Sequence, residues 1–166
     1  MKRIWAAGIM AIIISPPASA AYTPLYAGAQ FDNDITTGLL GYQIDKNWAV
    51  EAHANSFVTR IAQAGAINET RSSVRGLSAL YMVPMKLSGG SPYFFFGKAG
   101  YERVNEDVSF RFPSSVTYSG SYSNRTNRGR FGVGAQYDIY KHLSGRAGVD
   151  VFGQNHSVYL SVILKF

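Results

Sequence analysis

The sequence predicts an all-β fold, an eight-stranded antiparallel up-and-down barrel that crosses a membrane. Three observations carry this prediction: apolar and polar side chains alternate with a period of two, tight turns alternate with longer connections, and one face of each segment is apolar. Charged residues make up 16% of the 166-residue chain, against roughly 25% in soluble domains. The chain has no cysteine, which excludes disulfides and thiolate metal sites, and we expect neither a metal nor a cofactor.

The first twenty residues have the three parts of a secretory signal. Lys2 and Arg3 are basic, residues 4–14 are apolar, and two prolines precede the small residues at 18–20. The apolar run is shorter than the roughly 20 residues of a spanning helix. We therefore expect cleavage after Ala20, with residues 1–20 as the signal and 21–166 as the barrel domain.

Four alternating segments occupy the first half of the mature chain. Each has roughly the length of 9–11 residues that a tilted membrane strand needs. Because neighbouring side chains of a strand point to opposite faces, each segment has one apolar face. The segments and their apolar residues are 25–31 (Leu25, Ala27, Ala29, Phe31), 37–44 (Leu40, Tyr42, Ile44), 48–58 (Val50, Ala52, Ala54) and 73–83 (Leu77, Ala79, Tyr81, Val83).

Four further segments complete the predicted barrel. Their second faces carry glycine, serine, glutamine and charged residues, which predicts a polar interior. The segments and their apolar residues are 93–103 (Phe95, Ala99, Tyr101), 129–138 (Phe131, Val133, Ala135, Tyr137), 143–152 (Leu143, Ala147, Val149, Val151) and 158–166 (Val158, Leu160, Val162, Leu164, Phe166).

The connections distinguish a membrane barrel from a soluble β-protein. The second, fourth and sixth connections are tight, whereas the third and fifth are long loops, at about 59–72 and 104–128. Outer-membrane barrels with both termini inside have short periplasmic turns and longer external loops in this order. No physical constraint imposes this alternation of short and long connections on a soluble barrel. The alternative is a secreted sandwich with one wet sheet face.

The last strand resembles the C-terminal signal by which bacterial outer-membrane barrels are recognised by their assembly machinery, since it alternates through Leu164 and ends on Phe166. Together with several short motifs, it makes the mature chain similar to the OmpA-like eight-stranded barrels, including opacity-type surface proteins. That resemblance implies a monomer in the Gram-negative outer membrane, without the peptidoglycan-binding domain of full-length OmpA. The motifs are Tyr26-Ala-Gly-Ala-Gln, Gly41-Tyr42, Trp48-Ala-Val-Glu51, Pro92-Tyr93 and Gly97-Lys-Ala-Gly-Tyr101.

Charged residues on the inner face form the first candidate site. We expect Glu51, Lys98 and Arg146 at similar depth in the lumen, with Glu102 and Asp150 further from the periplasmic turns. Buried charges must pair or be hydrated. The resemblance implies a gated path for small ions. The alternative is a network that only fills the lumen.

Two arginines at the outer rim form the second candidate site. Arg75 and Arg103 share outward faces with apolar residues, where lipopolysaccharide phosphates are the neighbouring anions. We therefore expect contacts with outer-membrane lipids and lipopolysaccharide. Ordinary solvation of the rim is the alternative.

The fifth connection is the third candidate site, a basic and aromatic loop. Its serine and tyrosine alternation around Ser119-Gly120 predicts strands that continue above the membrane as a hairpin. Such a ribbon could contact a host surface or matrix, and we expect no nucleic-acid partner. A solvated loop without a ligand is the alternative. The residues of this surface loop are Tyr118, Tyr122, Arg125, Arg128 and Arg130.

No catalytic constellation is recognisable. A barrel lipid A deacylase would have a serine two residues from its histidine, whereas Ser157 directly follows His156 and so points to the other face. His142 falls in a predicted periplasmic turn, and His53 has Asn55 but no serine on its face. We expect no enzyme but a structural or adhesin-like surface protein that acts through its extracellular loops. The alternatives are a narrow gated ion pore and a lipid A-modifying enzyme.

Overall fold

The protein is a closed barrel of eight antiparallel strands in a computed structural model that describes residues 24–32, 35–63, 66–85, 93–111 and 119–166. The predicted fold class is confirmed. The expected signal at 1–20 and Tyr118 lie outside the described residues. Within the described ranges, no helix is long and apolar enough to cross a membrane. The strands are β1 (Leu25–Asp32), β2 (Ile35–Gln43), β3 (Trp48–Gln63), β4 (Ala66–Met85), β5 (Tyr93–Arg111), β6 (Ser119–Tyr140), β7 (Leu143–Phe152) and β8 (Asn155–Lys165).

The barrel closes between its first and last strands. β1 pairs with β8 from Tyr26↔Lys165 to Phe31↔Leu160. The backbone N–H of Phe166 donates to the carbonyl oxygen of Leu25 at 3.1 Å. Closure satisfies the backbone groups of both strands, which would otherwise be unpaired edges in lipid.

The four central strands are much longer than a membrane crossing requires. β3, β4, β5 and β6 have 16, 20, 19 and 22 residues, whereas β1, β2, β7 and β8 have between 8 and 11. The long loop expected at 59–72 is wrong, because β3 and β4 pair continuously to Gln63↔Ala66. Most of the long loop expected at 104–128 is also strand, and β5 and β6 pair to Arg111↔Ser119. The expected β5–β6 hairpin above the membrane is confirmed.

The strands extend further than the sequence pattern predicts because their surroundings change from lipid to water above the membrane. Above the membrane both faces of a strand meet water, so the apolar alternation that marks a strand in lipid disappears. The hydrogen-bonded ladder and its register continue nonetheless from the barrel into the hairpins.

Outside, an apolar band lies between two groups of aromatic residues. At the periplasmic end Trp48 and Tyr81 have ring centroids 4.9 Å apart, and the Tyr93 and Tyr137 rings stack at 4.7 Å. Tyr101 is exposed at the other end. The eight residue steps from Tyr93 to Tyr101 cover about 27 Å along the strand. That length lets a tilted strand cross most of an apolar band roughly 25 Å tall.

Inside, the periplasmic half of the lumen is filled by apolar side chains. The predicted polar interior is therefore wrong for this half. A barrel of eight strands has an interior just wide enough for side chains, and large, mainly apolar side chains fill it in this half. The members of this apolar plug are Tyr26, Ala49, Leu80, Met82, Phe96, Tyr159 and Ile163.

Candidate functional site

The five charged residues predicted for the lumen are all buried and lie in two groups. In the group nearer the periplasm, Arg146 reaches across from β7 to β3, where its Nη1 donates to Oε1 of Glu51 at 2.5 Å. The Tyr26 hydroxyl donates to the same oxygen at 2.8 Å. Gln136 accepts a hydrogen bond from Nη2 of Arg146 at 2.9 Å, and Arg146 lies over the ring of Phe96. This group adjoins the apolar plug.

The second group joins the other three predicted residues to Arg130, whose assignment to the surface loop is wrong because it is buried in the lumen. Lys98 Nζ donates to Oδ2 of Asp150 at 2.8 Å. Arg130 contacts the same oxygen and also donates to Oε2 of Glu102 at 3.2 Å. Lys98 therefore pairs with Asp150 rather than with Glu51, and Arg130 links the two carboxylates.

Glu102 is the acceptor at the extracellular end of this group. Arg128 Nε donates to Oε1 of Glu102 at 2.5 Å, and Nε2 of His53 lies 3.2 Å from Oε2. Gly76 lies between His53 and Glu102 in register, and a Cβ there would be 2.5 Å from the His53 ring. The glycine thus leaves the space that this contact needs.

The assignment of Arg128 to a surface loop is wrong. Arg128 lies in β6 opposite Glu102, and its side chain is 26% exposed. The position of Arg128 along the strand identifies its face. Residues 128 and 130 share the inner face with Gly132, whereas Phe131 is exposed on the outer face. That alternation is recognisable only when the strand is allowed to start well before residue 129.

In the lumen, charged side chains form ion pairs, and other side chains pack around them. Each of Lys98, Arg128, Arg130 and Arg146 contacts a carboxylate, and Glu51, Glu102 and Asp150 each contact a cation. Pairing is what allows such charges to stay buried. Because these pairs adjoin the apolar plug, the arrangement favours a closed scaffold over an open channel.

Above the barrel, β3 to β6 continue as a four-stranded sheet, here called the extracellular sheet (residues 55–63, 66–74, 104–111 and 119–129). The described ladder between β2 and β3 ends at Gly38↔Ala54, and that between β6 and β7 ends at Arg130↔Phe152. Both outer edges of the extracellular sheet thus extend beyond the pairing of the barrel wall.

The outward face of this sheet is polar and basic. Arg60 and Arg71 donate through Nε to the two carboxylate oxygens of Glu69, at 2.7 and 2.8 Å. The pKa of Glu69 is lowered below its usual range, mainly by the hydrogen bond from Arg71 and then by the one from Arg60. Ser123 donates to Asp107 at 2.6 Å, and Arg125 is exposed. Charged and hydroxyl groups therefore predominate on this face.

Among the described residues predicted for the surface loop, Tyr122 and Arg125 lie on opposite faces of β6. Tyr122 is 60% exposed on the second face of β6, where it is in register with Val108, whereas Arg125 shares the outward face with Ser123. The aromatic and basic groups do not form one patch. The predicted ribbon is a sheet with a basic face and a less polar face.

The remaining candidates lie at different places on the barrel, except that Arg75 and Arg103 are register partners. Nδ1 of His142 lies 3.1 Å from the carbonyl oxygen of Lys165, which accepts a hydrogen bond when that nitrogen carries the proton. His156 is exposed, whereas Ser157 is buried and contacts Asp32. Arg75 and Arg103 are exposed on the outward faces of β4 and β5. Leu164 is exposed on the outer face of β8. Within the part of the chain that the structure describes, no group of three or more histidine or acidic residues could hold a metal ion.

Comparison with known proteins identifies the architecture. A family model described as the outer membrane protein beta-barrel domain matches residues 5–155. The chain is similar to the N-terminal beta-barrel domain of Pseudomonas aeruginosa OprF, at 13% identity and a TM-score of 0.57, with 86% of this chain and 95% of that chain covered. It is also similar to Ail, the attachment invasion locus protein of Yersinia pestis, at 8% identity and a TM-score of 0.50, over 85% and 92% of the two chains. No curated protein matches the chain.

Proposed function

Since this chain belongs to the outer membrane protein beta-barrel domain family, we propose that it is an adhesin-like surface protein. Its extracellular sheet makes the contacts, and its barrel is a closed scaffold. The observation that carries the proposal is the length of β3 to β6, which exceeds the membrane crossing and forms one hydrogen-bonded sheet. The partner class is a host surface or matrix, and the protein acts as a monomer.

The rigidity of the extracellular sheet supports this proposal. From Arg103 to Arg111, β5 continues for about 27 Å along its length outside the apolar band. It pairs on both sides over this whole length. A rigid scaffold that presents polar groups away from the cell lowers the entropy lost on binding.

The open edges of the sheet supply a second kind of contact. Residues 55–63 of β3 and 119–129 of β6 present backbone groups along their outer sides. Such edges pair with an extended segment of another protein. Arg60 on one edge and Arg125 on the other protect against unselective pairing, since charged residues blunt an exposed edge.

Transport and catalysis have less support. The apolar plug and the Glu51–Arg146 pair occupy the lumen that an ion would have to cross. His156 and Ser157 differ in burial, as expected for residues that point to opposite faces, and Ser157 contacts Asp32 instead. A non-catalytic role and cleavage of residues 1–20 are part of the proposal.

Assembly depends on the last strand in this proposal. We expect Leu164 and Phe166 to be recognised by the outer-membrane assembly machinery, as in the barrels that the last strand resembles. Deleting Phe166 should lower the amount of protein in the outer membrane and cause degradation in the periplasm. Normal outer-membrane levels of the truncated chain would contradict this part.

The test of the binding role shortens both hairpins without touching the barrel. Asn55 and Val74 are register partners, as are Val104 and Thr126, so each pair can be joined through a two-residue Asn-Gly turn. Laboratory bacteria carrying the shortened protein are compared with wild type for attachment to epithelial monolayers and matrix-coated surfaces. We expect attachment to be lost.

The matched control is the lumen variant Tyr26→Phe, which removes only the hydroxyl that contacts Glu51. It should attach like wild type. Heat-modifiability on gels checks that each variant is a folded barrel. Attachment that survives shortening of both hairpins, or that disappears in the lumen variant, would show that the extracellular sheet is not the binding surface.

A further inference from the structure

Arg75 and Arg103 lie directly opposite each other on the outside of the barrel. They are register partners in the β4–β5 ladder, and both side chains are exposed. Like charges at such positions repel each other, because directly opposed side chains have Cβ atoms about 5 Å apart. A bound anion between the two guanidinium groups would remove this repulsion.

No described carboxylate supplies that negative charge. Among the described residues, neither Arg75 nor Arg103 forms a salt bridge with an acidic side chain, whereas five other strand arginines do. Those five are Arg60, Arg71, Arg128, Arg130 and Arg146. The opposed pair is thus left with uncompensated charge.

The depth of the pair points to the source of the anion. The next outward-facing row toward the membrane is Leu77 and Tyr101, which are 68% and 54% exposed and belong to the apolar band. One row of a strand corresponds to about 7 Å along its length. The two guanidinium groups therefore lie at the level of the lipid headgroups, and their aliphatic stems can extend along the apolar surface.

The surroundings of the pair orient one guanidinium and leave room beside the other. Arg103 Nε donates to Oδ1 of Asn127 at 3.0 Å, which fixes the plane of its guanidinium. Ala54, the register partner of Arg75 on β3, is too small to cover it. Arg125 lies one outward row beyond Asn127 on β6 and adds a third positive charge on the same face.

We propose that Arg75 and Arg103 form a binding site for a phosphate group of lipopolysaccharide in the outer leaflet, with Asn127 as the positioning residue for Arg103. Two guanidinium groups suit a phosphate because each can donate a planar pair of hydrogen bonds to its oxygens. A glycolipid is favoured over a free phosphate ion because the site continues into Leu77 and Tyr101, against which an acyl chain can pack. The site is separate from the hairpin tips and does not depend on the proposed attachment function.

The test measures lipid binding by the folded full-length mature chain in detergent. Native mass spectrometry counts bound molecules after titration with lipopolysaccharide, with enzymatically dephosphorylated lipopolysaccharide, and with inorganic phosphate. We expect the double variant Arg75→Gln/Arg103→Gln to bind phosphorylated lipopolysaccharide about tenfold or more weakly than wild type. Wild type should lose a similar factor on the dephosphorylated lipid, because two charge-assisted hydrogen-bonding groups then lack their acceptor.

Two further variants distinguish a specific site from nonspecific attraction of the lipid to the positive charge of this face. Arg111→Gln removes an exposed arginine from the same face of β5, eight residues further from the membrane, and should leave binding unchanged. Asn127→Ala should weaken binding less than the double variant, because it keeps both charges. Heat-modifiability verifies that each variant is folded.

Four results would overturn the proposal. These are unchanged binding by the double variant, an equal loss in Arg111→Gln, equal affinity for the dephosphorylated lipid, and an Asn127→Ala loss as large as that of the double variant. Inorganic phosphate that competes at the same concentration as the lipid would overturn the assignment to lipopolysaccharide and leave a simple anion site.

Discussion

The lumen and the extracellular sheet carry similar charged residues in opposite circumstances. Within the lumen, Glu102 and Asp150 are fully buried and joined through Arg130. On the sheet, Glu69 is held by two arginines, while Arg125 is exposed and forms no described salt bridge. A buried charge must find a partner inside the protein, whereas an exposed one is solvated. The lumen charges therefore stabilise the barrel, and the sheet charges remain available to a ligand.

The largest effect should follow from breaking the pair beside the apolar plug. Arg146→Ala leaves Glu51 buried with only the Tyr26 hydroxyl as a described hydrogen-bond donor. Removing one partner of a buried pair costs about 3–5 kcal/mol. We expect this loss in the free energy of unfolding, measured by urea titration of the folded barrel in lipid vesicles. A loss below about 1 kcal/mol would mean that water reaches Glu51.

The apolar plug should contribute almost as much. Leu80 is completely buried in it, and Leu80→Ala creates a cavity that the closed barrel wall cannot collapse to fill. Such truncations cost about 2–5 kcal/mol. The control is Leu77→Ala, at an exposed lipid-facing position, and the same urea titrations should show a much smaller loss for it. Equal losses for the two variants would contradict the packed interior.

A smaller effect separates two arginines of one strand. Arg128 contacts Glu102 at the extracellular end of the lumen, whereas Arg125 lies three residues away on the outward face. Arg128→Ala should lower the free energy of unfolding by about 1–3 kcal/mol, because it removes one donor from a buried carboxylate. Arg125→Ala should change it by less than about 0.5 kcal/mol. Similar losses in the free energy of unfolding for the two variants would contradict the difference between the lumen and the extracellular sheet.

The smallest effect concerns the pH dependence of the extracellular sheet. Because Arg71 and Arg60 lower the pKa of Glu69, the stabilisation that these contacts give is present above the carboxyl's ordinary value of 4.5 and is lost as pH falls through the lowered pKa. The carboxyl signal of Glu69 in an NMR titration should have its midpoint below 4.5. The double variant Arg60→Gln/Arg71→Gln should bring the midpoint back toward 4.5. A wild-type midpoint at or above 4.5 would contradict the contact.

The same comparison explains what the sequence could predict. In lipid, the alternation of Phe95, Ala99 and Tyr101 with Lys98 and Glu102 marks both the strand and its inner face, and the structure buries these two charges. The sequence pattern does not predict the apolar plug. Leu80 and Phe96 are as apolar as the lipid-facing residues, so periodicity does not distinguish the inner face from the outer one there. Above the membrane, residues 59–72 lack an apolar face. Their pairing depends on the register of β3 and β4 below them, which local sequence does not encode.

The division between scaffold and binding surface is tested most directly by transplantation. Residues 55–74 and 104–126 of this chain, which end at register partners, replace the corresponding hairpins of another eight-stranded barrel that does not attach to epithelial monolayers. Attachment of bacteria carrying the folded chimera is then measured. We expect the chimera to attach like the wild-type protein. A folded, surface-displayed chimera that fails to attach, although the wild-type protein attaches in the same assay, would contradict it.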